Sequence, residues 1–368
     1  MSDSAAEKSI PNEALASAGE SRVAWPTHER ERAFQRWLEP LVAPHGLQPL
    51  ALQAASADAS FRRYLRLPAA RGSRIVMDAP PPLEDTRPFV RIASLLAGAG
   101  LRVPEVLAAD VEQGFLLLED LGSQVYLPAL QDAARAGGQA ADRLMRPALA
   151  ALLRMQQRVP AHELPLFDAR AQQLELDLFP TWCVQREFGQ TWTESQTRAW
   201  QQVCERLIHS NLSQPQVAVH ADWMPRNLML LGAGDPPGVL DFQDAVCGPM
   251  SYDLASLLRD AFISWNEAQE LDWAVRWWQM ARDAGHPVDA DFGEFWRSLE
   301  WSGLQRHLKV LGIFCRLKHR DGKPGYAADL PRFFGYATRV AMRYRPLAPL
   351  LALLEPLSGN AVEAGFTF

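Results

Sequence analysis

Residues 217–258 read VAVHADWMPRNLMLLGAGDPPGVLDFQDAVCGPMSYDLASLL, and three oxygen-bearing side chains in this stretch set the reading of the whole chain. Asp222 is followed five positions later by Asn227, and Asp241 comes after a turn-rich segment. The apolar run 217–219 predicts a strand that delivers His220 and Asp222 into a loop. Residues 228–231 and 239–240 read as two arms of a hairpin across Gly232, Gly234 and the Pro236-Pro237-Gly238 turn. Asn227 then sits just before one arm and Asp241 just after the other, which makes them neighbours in space.

Each residue alone reads most simply as a turn former. Taken together, strand, H-x-D-x-x-x-x-N, hairpin, a D-F pair and a helix with Asp253 near its start describe a phosphoryl-transfer loop. In such a loop the first Asp orients or deprotonates an attacking hydroxyl, while the Asn and the second Asp hold Mg²⁺ against a nucleotide triphosphate. Asp222 is therefore the candidate catalytic acceptor of the proton, with Asn227 and Asp241 the candidate metal ligands. His220 is expected to fix the loop by hydrogen bonding, since Asp222 fills the catalytic slot. Asp253 is expected to bond loop backbone or His220. Arg226, beside a metal ligand, either stabilises the transferring phosphate or anchors the loop.

Upstream, the pattern changes. Thr27 is placed to cap a helix in which Phe34, Trp37, Leu38 and Leu41 recur at helical spacing. Strands are predicted at 50–53, 61–67, 74–78, 105–109 and 115–119, with a helix at 87–97 capped by Thr86 and packing through Phe89, Ile92, Ala93 and Leu96. The linker 54–60, AASADAS, is built of small residues. Its backbone N–H groups, with the Ser56 and Ser60 hydroxyls, are candidates to approach a triphosphate. Kinases commonly grip phosphates with a strand-borne Lys paired to a helix Glu. Here the four lysines are Lys8, Lys309, Lys318 and Lys323, and the 87–97 helix carries no Glu, so Arg must supply the charge. Arg63, pointing inward beside Phe61 and Leu65, needs an anionic partner and is the first candidate; Arg62 is the second. Asp78 in the next strand has no role in this scheme.

From residue 124 onward helical spacing dominates, at 144–157, 172–186, 194–210, 252–262, 267–284, 292–317 and 330–344. Trp273, Trp277, Trp278, Trp296 and Trp301 read as core aromatics.

The catalytic stretch resembles the aminoglycoside phosphotransferase/choline kinase superfamily, whose signature His220, Asp222, Asn227, Asp241 and Asp253 match residue by residue. SADASFRRYLR (56–66), VMDAPPP (76–82), FLLLEDLG (115–122), GVLDFQDAVCGPMSYDL (238–254) and QRHLKVLGIFCRLKHRDGKPGY (305–326) look closer still to the bacterial anomeric kinases of N-acetylmuramate and N-acetylglucosamine. The likeness spans about 52–344. It implies an α+β, protein-kinase-like two-lobe fold: a tail at 1–26, a small strand-rich N-lobe at 27–119 and a mostly helical C-lobe at 120–368. It also implies ATP and Mg²⁺ as cofactors, a small-molecule sugar substrate, and a hinge at Glu119 and Leu121 whose backbone bonds the adenine edge. Asp244 becomes a candidate for a second metal or a sugar hydroxyl. The basic region 305–323, with Arg306, His307 and Lys309, is a candidate for an anionic group such as a lactyl carboxylate; a solvated helix face explains it equally well. Other acceptors in the superfamily, an aminoglycoside, choline or homoserine, stay open, as does a nucleotide-binding pseudokinase.

Composition narrows the classes. A net charge of −6 over 368 residues argues against a nucleic-acid partner. No apolar run approaches a membrane span, and the polar opening residues lack a signal core, so a cytoplasmic location is expected. No obligate protein partner is implied. Cys183, Cys204, Cys247 and Cys315 are scattered without metal-ligand spacing and are expected to be buried thiols.

Overall fold

The computed structural model describes residues 23–57, 61–136, 138–232 and 234–358. Its first compact unit takes the described residues up to Thr86 together with Leu107–Asp120. Thr27 accepts a hydrogen bond from the Arg30 N–H at 3.1 Å and starts helix α1 (His28–His45). After one 3₁₀ turn at Pro49–Ala51 come strands β1 (Gln53–Ala57), β2 (Arg63–Pro68) and β3 (Ser73–Asp78). Helix α2 (Arg87–Gly98) precedes β4 (Val106–Asp110) and β5 (Phe115–Glu119). The five strands form one sheet in the order β1-β2-β3-β5-β4. Helix α1 lays Phe34 and Leu38 on the face formed by Leu65, Leu67, Val76, Phe115 and Leu117. Trp37 stacks on Phe115 at 5.2 Å between ring centroids.

Several local expectations shift here. The strand expected at 50–53 begins instead at Gln53, because Pro49 starts a turn and has no N–H for a ladder. The strand then takes in most of the small-residue linker, with a bulge between Ala54 and Ser56. Ser60 lies outside the described residues, as do residues 1–22 of the expected tail. Within 23–26, Trp25 packs on Phe34 at 4.7 Å, so part of the expected tail packs on α1. Thr86 does not cap α2; its hydroxyl is buried without a partner. The α2 packing face is nevertheless Phe89, Ile92, Ala93 and Leu96.

The second unit takes Arg87–Val106 and the described residues from Leu121 onward. It opens with α3 (Tyr126–Ala136), α4 (Gly138–Arg158) and α5 (Ala169–Leu176), followed by a π-helix at Phe179–Glu187 and α6 (Glu194–Ser213). The short strands β6 (Gln216–Val219), β7 (Leu228–Met229), β8 (Gly238–Val239) and β9 (Val246–Pro249) carry the loop region. Helices α7 (Tyr252–Leu258), α8 (Glu267–Asp283), α9 (Phe292–His319), α10 (Leu330–Arg343) and α11 (Pro349–Ser358) complete it. No described helix is long and apolar enough to cross a membrane.

Helix α9 is the axis of this unit. Its middle is buried on nearly all sides from Leu299 to Leu308, a pattern reserved for central helices. At Gly312 a Cβ would come within 2.4 Å of the Leu178 backbone, so glycine there allows the close approach. Leu178 lies where the single helix expected at 172–186 divides into α5 and the π-helix. Helix α7 ends at Leu258, short of the expected 262, because Arg259 turns inward. Its buried guanidinium donates to Glu270 at 2.9 Å and to Glu300 at 2.8 Å, and Arg339 and Arg343 complete the network. A second buried polar network joins α5, α6 and α9: Asn211 donates to Gln305 at 2.6 Å and accepts from Ser302 at 2.6 Å. Trp273, Trp277, Trp296 and Trp301 are in the core, and Trp278 is half-buried. All four cysteines are buried thiols.

Candidate functional site

The candidate site is built on β6 and its partner β9, a strand that the Gly248-Pro249 pair hides from sequence patterns. Val217, Ala218 and Val219 are buried and pair with Gly248, Cys247 and Val246. The chain leaves β6 at His220, and Ala221 takes a left-handed φ of 73°. Asp253, fully buried in the first turn of α7, holds this turn. Its carboxylate accepts from the backbone N–H of His220 at 2.6 Å and of Ala221 at 3.1 Å. Burial nevertheless outweighs those bonds and lifts the Asp253 carboxyl to about 7. The His220 ring donates through Nε2 to the Leu240 carbonyl at 3.0 Å, and Nδ1 accepts from the Asp222 N–H at 3.3 Å. This pair of bonds requires the neutral imidazole, and burial holds His220 down to about 4. His220 thus clamps the loop to the segment that carries Asp241.

Asp222 projects from this clamp with its side chain 44% exposed. Its backbone carbonyl accepts from Asn227 Nδ2 at 3.0 Å. The donor end of the amide is engaged in that bond, so its oxygen is the atom Asn227 has to offer a cation. Across the β7–β8 pair, the Leu240 N–H donates to the Asn227 carbonyl at 2.8 Å, which brings Asp241 alongside Asn227. Asp241 itself adopts φ 60°. Among the described residues, Ala221 and Asp241 are the two non-glycine residues with positive φ. Each such conformation costs on the order of 1 kcal/mol or more and persists where surrounding contacts over-determine it. Phe242, next in sequence, is buried and contacts Phe89 of α2 at 4.7 Å between centroids, which anchors the Asp241 turn. Gln243 Nε2 donates to Asp241 at 2.9 Å and to the exposed Asp244 at 3.0 Å, placing those two carboxylates side by side.

On the α9 side, Arg306 is buried, with Nη2 at 3.8 Å from Asp222. Its Nε and Nη1 have no hydrogen-bond partner. Lys309, one turn further, is paired with Glu175 of α5 at 2.6 Å. His307 lies in the core with its ring stacked on Tyr336 at 4.8 Å, turned into packing and away from a substrate role. Further along the basic region, Lys318 and His319 both reach Glu187 at 2.6 Å, and Arg320 pairs with Asp321 at 2.7 Å. Arg226 stacks over Phe262 at 3.6 Å, which anchors the loop. Glu175 and Asp260 stand outside the quoted segments, and Tyr252 has no role assigned within 238–254; the fold sets Glu175 against Lys309 and brings Tyr252 and Asp260 within reach of the Arg306 charge.

In the strand-rich unit the expected phosphate ligand Arg63 is otherwise engaged. It stands directly opposite Asp78 in the β2–β3 register and donates to its carboxylate through Nε at 3.1 Å and through Nη2. Arg30 donates to the other oxygen of Asp78 at 2.9 and 2.5 Å. The anionic partner beside the inward Arg63 is therefore Asp78, a fully buried residue flanked by two guanidiniums. Arg62 lies 3.8 Å from Glu84, Ser56 is paired with Tyr64 on β1, and Glu119 ends β5 opposite Arg74. Leu121, in the other unit, lies against Gly238.

The sequence pattern of the phosphotransferase enzyme family matches residues 51–292. An N-acetylmuramate/N-acetylglucosamine kinase of Pseudomonas putida is 49% identical over 311 residues, covering 84% of this chain and 89% of that protein. A kinase of the same name from Neisseria meningitidis is 44% identical over 342 residues, covering 92% and 100%. Among solved structures, choline kinase LicA from Streptococcus pneumoniae superposes with a TM-score of 0.58 at 13% identity, over 87% of this chain and 99% of that one. The ADP-bound aminoglycoside phosphotransferase APH(2'')-Ib gives 0.53 at 12%, over 85% and 98%. These likenesses establish the protein-kinase-like α+β fold. The chain belongs to the phosphotransferase enzyme family.

Proposed function

We propose that this protein transfers the γ-phosphoryl group of ATP to the anomeric 1-hydroxyl of N-acetylmuramate and N-acetylglucosamine, producing sugar 1-phosphates in the cytoplasmic recycling of cell-wall sugars. The observation that carries this reading is the conjunction of two facts. Kinases named for these two sugars align with 44–49% identity over most of the chain, and Asp222, Asn227 and Asp241 converge on one loop region.

In this reading Asp222 orients the sugar hydroxyl and accepts its proton late in transfer. An anomeric hydroxyl is more acidic than an ordinary alcohol, so this demands little of a carboxylate. Asn227 and Asp241 offer hard oxygen donors suited to Mg²⁺, which takes one or two protein ligands and completes its shell with water and phosphate oxygens. When bound, the ion would neutralise charge on the nucleotide phosphates. The protein's own work is positioning: His220 and Asp253 fix the turn that presents Asp222.

The test is ADP release by the purified protein across N-acetylmuramate, N-acetylglucosamine, choline, homoserine and an aminoglycoside. Turnover with the two amino sugars supports the assignment. Turnover confined to choline, homoserine or the aminoglycoside overturns it, and so does nucleotide binding with no turnover of any acceptor.

A further inference from the structure

Beside Asp222, the second unit buries more hydrogen-bonding capacity than it uses. Tyr252, adjacent to the loop-fixing Asp253, is 1% exposed, and its hydroxyl has no partner. Glu175 accepts from Lys309 through Oε1 at 2.6 Å, while its Oε2 is buried and unpartnered. Nε and Nη1 of Arg306 are in the same condition. These groups form one cluster: Lys309 stands 2.6 Å from Glu175 and Arg306 3.8 Å from Asp222, and the charges of all four act on the Tyr252 hydroxyl. The cluster reaches solvent through Lys309 at 15%, Glu175 at 22% and Asp222 at 44% side-chain exposure. Leaving a buried polar group unpaired is costly, so each of these atoms calls for a partner such as a bound ligand or an ordered water.

The chemistry of the cluster is specific. Tyr252 has an O–H to donate and Glu175 Oε2 has a lone pair to accept, so a hydroxyl group between them satisfies both, accepting from the phenol and donating to the carboxylate. Lys309 holds Glu175 in place through a 2.6 Å ion pair. A cation would not need the phenol, and an isolated carboxylate would be repelled by Glu175.

We propose that Glu175 and Tyr252 form the face of the acceptor subsite that reads a secondary or primary hydroxyl of the sugar away from the reacting oxygen, with Lys309 as the residue that orients Glu175. This rests on the amino-sugar kinase reading above and adds residues to it. A site built to hydrogen-bond a hydroxyl rejects the analogue lacking it, because its own polar groups are then left unpaired.

The experiment measures kcat/KM for N-acetylglucosamine and its 3-, 4- and 6-deoxy analogues with wild type, Tyr252→Phe and Glu175→Gln. Wild type should disfavour at least one deoxy analogue by about tenfold or more. Each variant should raise KM for the parent sugar with a smaller change in kcat, and should lose most of that discrimination. Tyr252→Phe, which removes an unpartnered hydroxyl, should keep or raise the melting temperature. A hydroxyl satisfied by a structural water would instead lower the melting temperature and leave discrimination intact. Equal treatment of all analogues by wild type, or unchanged discrimination in both variants, overturns the subsite while leaving the amino-sugar kinase reading standing. Absence of amino-sugar turnover by wild type overturns both.

Discussion

The side-chain amide of Asn227 donates to the backbone carbonyl of Asp222 at 3.0 Å. A metal-binding candidate and the candidate proton acceptor are thus tied into one rigid turn. The same Asn227 accepts the Leu240 N–H through its backbone, so the turn is also locked to the residue before Asp241. Loop position and the proposed metal role are therefore coupled at Asn227.

Replacing Asn227 with Ala removes the amide oxygen and the bond to Asp222 together. We expect kcat to fall about 100-fold or more and the Mg²⁺ concentration for half-maximal rate to rise. Initial rates over a Mg²⁺ titration check this. A lowered kcat with an unchanged Mg²⁺ dependence would leave Asn227 with loop geometry alone.

The Asp78 cluster makes a separate prediction about stability. Asp78→Asn leaves Arg30 and Arg63 without their shared carboxylate, and breaking such a pair costs about 3 kcal/mol, readable by urea denaturation. Arg63→Met should destabilise less, because its side chain is 28% exposed and Arg30 still covers Asp78. The KM for ATP should stay close to wild type in Arg63→Met. A rise of about tenfold or more would return Arg63 to phosphate binding.

His220 and Asp253 give opposing pH dependences. His220 is held down to about 4 from 6.5, so as pH falls through that window the unfolded chain takes up the proton first and stability is lost, by roughly 3 kcal/mol. Asp253 is lifted to about 7 from 3.8. As pH rises through that window the unfolded chain ionises first, and again stability is lost. The two slopes overlap between about 4 and 6.5 and largely cancel. In His220→Gln the Asp253 slope stands alone, so this variant should lose stability from pH 4.5 to 6.5 relative to wild type. Urea denaturation across that range measures the difference; parallel curves for the two proteins would contradict it.

What could be read before the structure follows from how local each feature is. Asp222, Asn227 and Asp241 are connected by short strands and a hairpin, so their spacing along the chain nearly determines their spacing in the fold. The packing face of α2 emerges from helical periodicity for the same reason. The Arg63–Asp78 pairing needed the exact strand register, and the third partner, Arg30, comes from a helix 48 residues from Asp78 in sequence. The need for an anion beside Arg63 was visible; its identity was not. Asn211 and Ser302 read as ordinary polar helix residues, and Gln305 as the start of the basic region, until α6 and α9 are laid together. Glu175 and Tyr252 were missed because α5, α7 and α9 meet only in the folded unit. The basic run near residue 318 looked like a ligand site because Glu187, its internal counter-charge, lies more than a hundred positions away.

The central claim is phosphorylation of a sugar's anomeric oxygen with Asp222 as the acting carboxylate. Proton-coupled ³¹P NMR of the products formed from ATP, Mg²⁺ and N-acetylmuramate tests it most directly. The account predicts a new phosphomonoester resonance split by the single anomeric proton, formed by wild type and absent with Asp222→Asn. Unconsumed ATP with wild type, a resonance split by two methylene protons, or product formation undiminished in Asp222→Asn would contradict it.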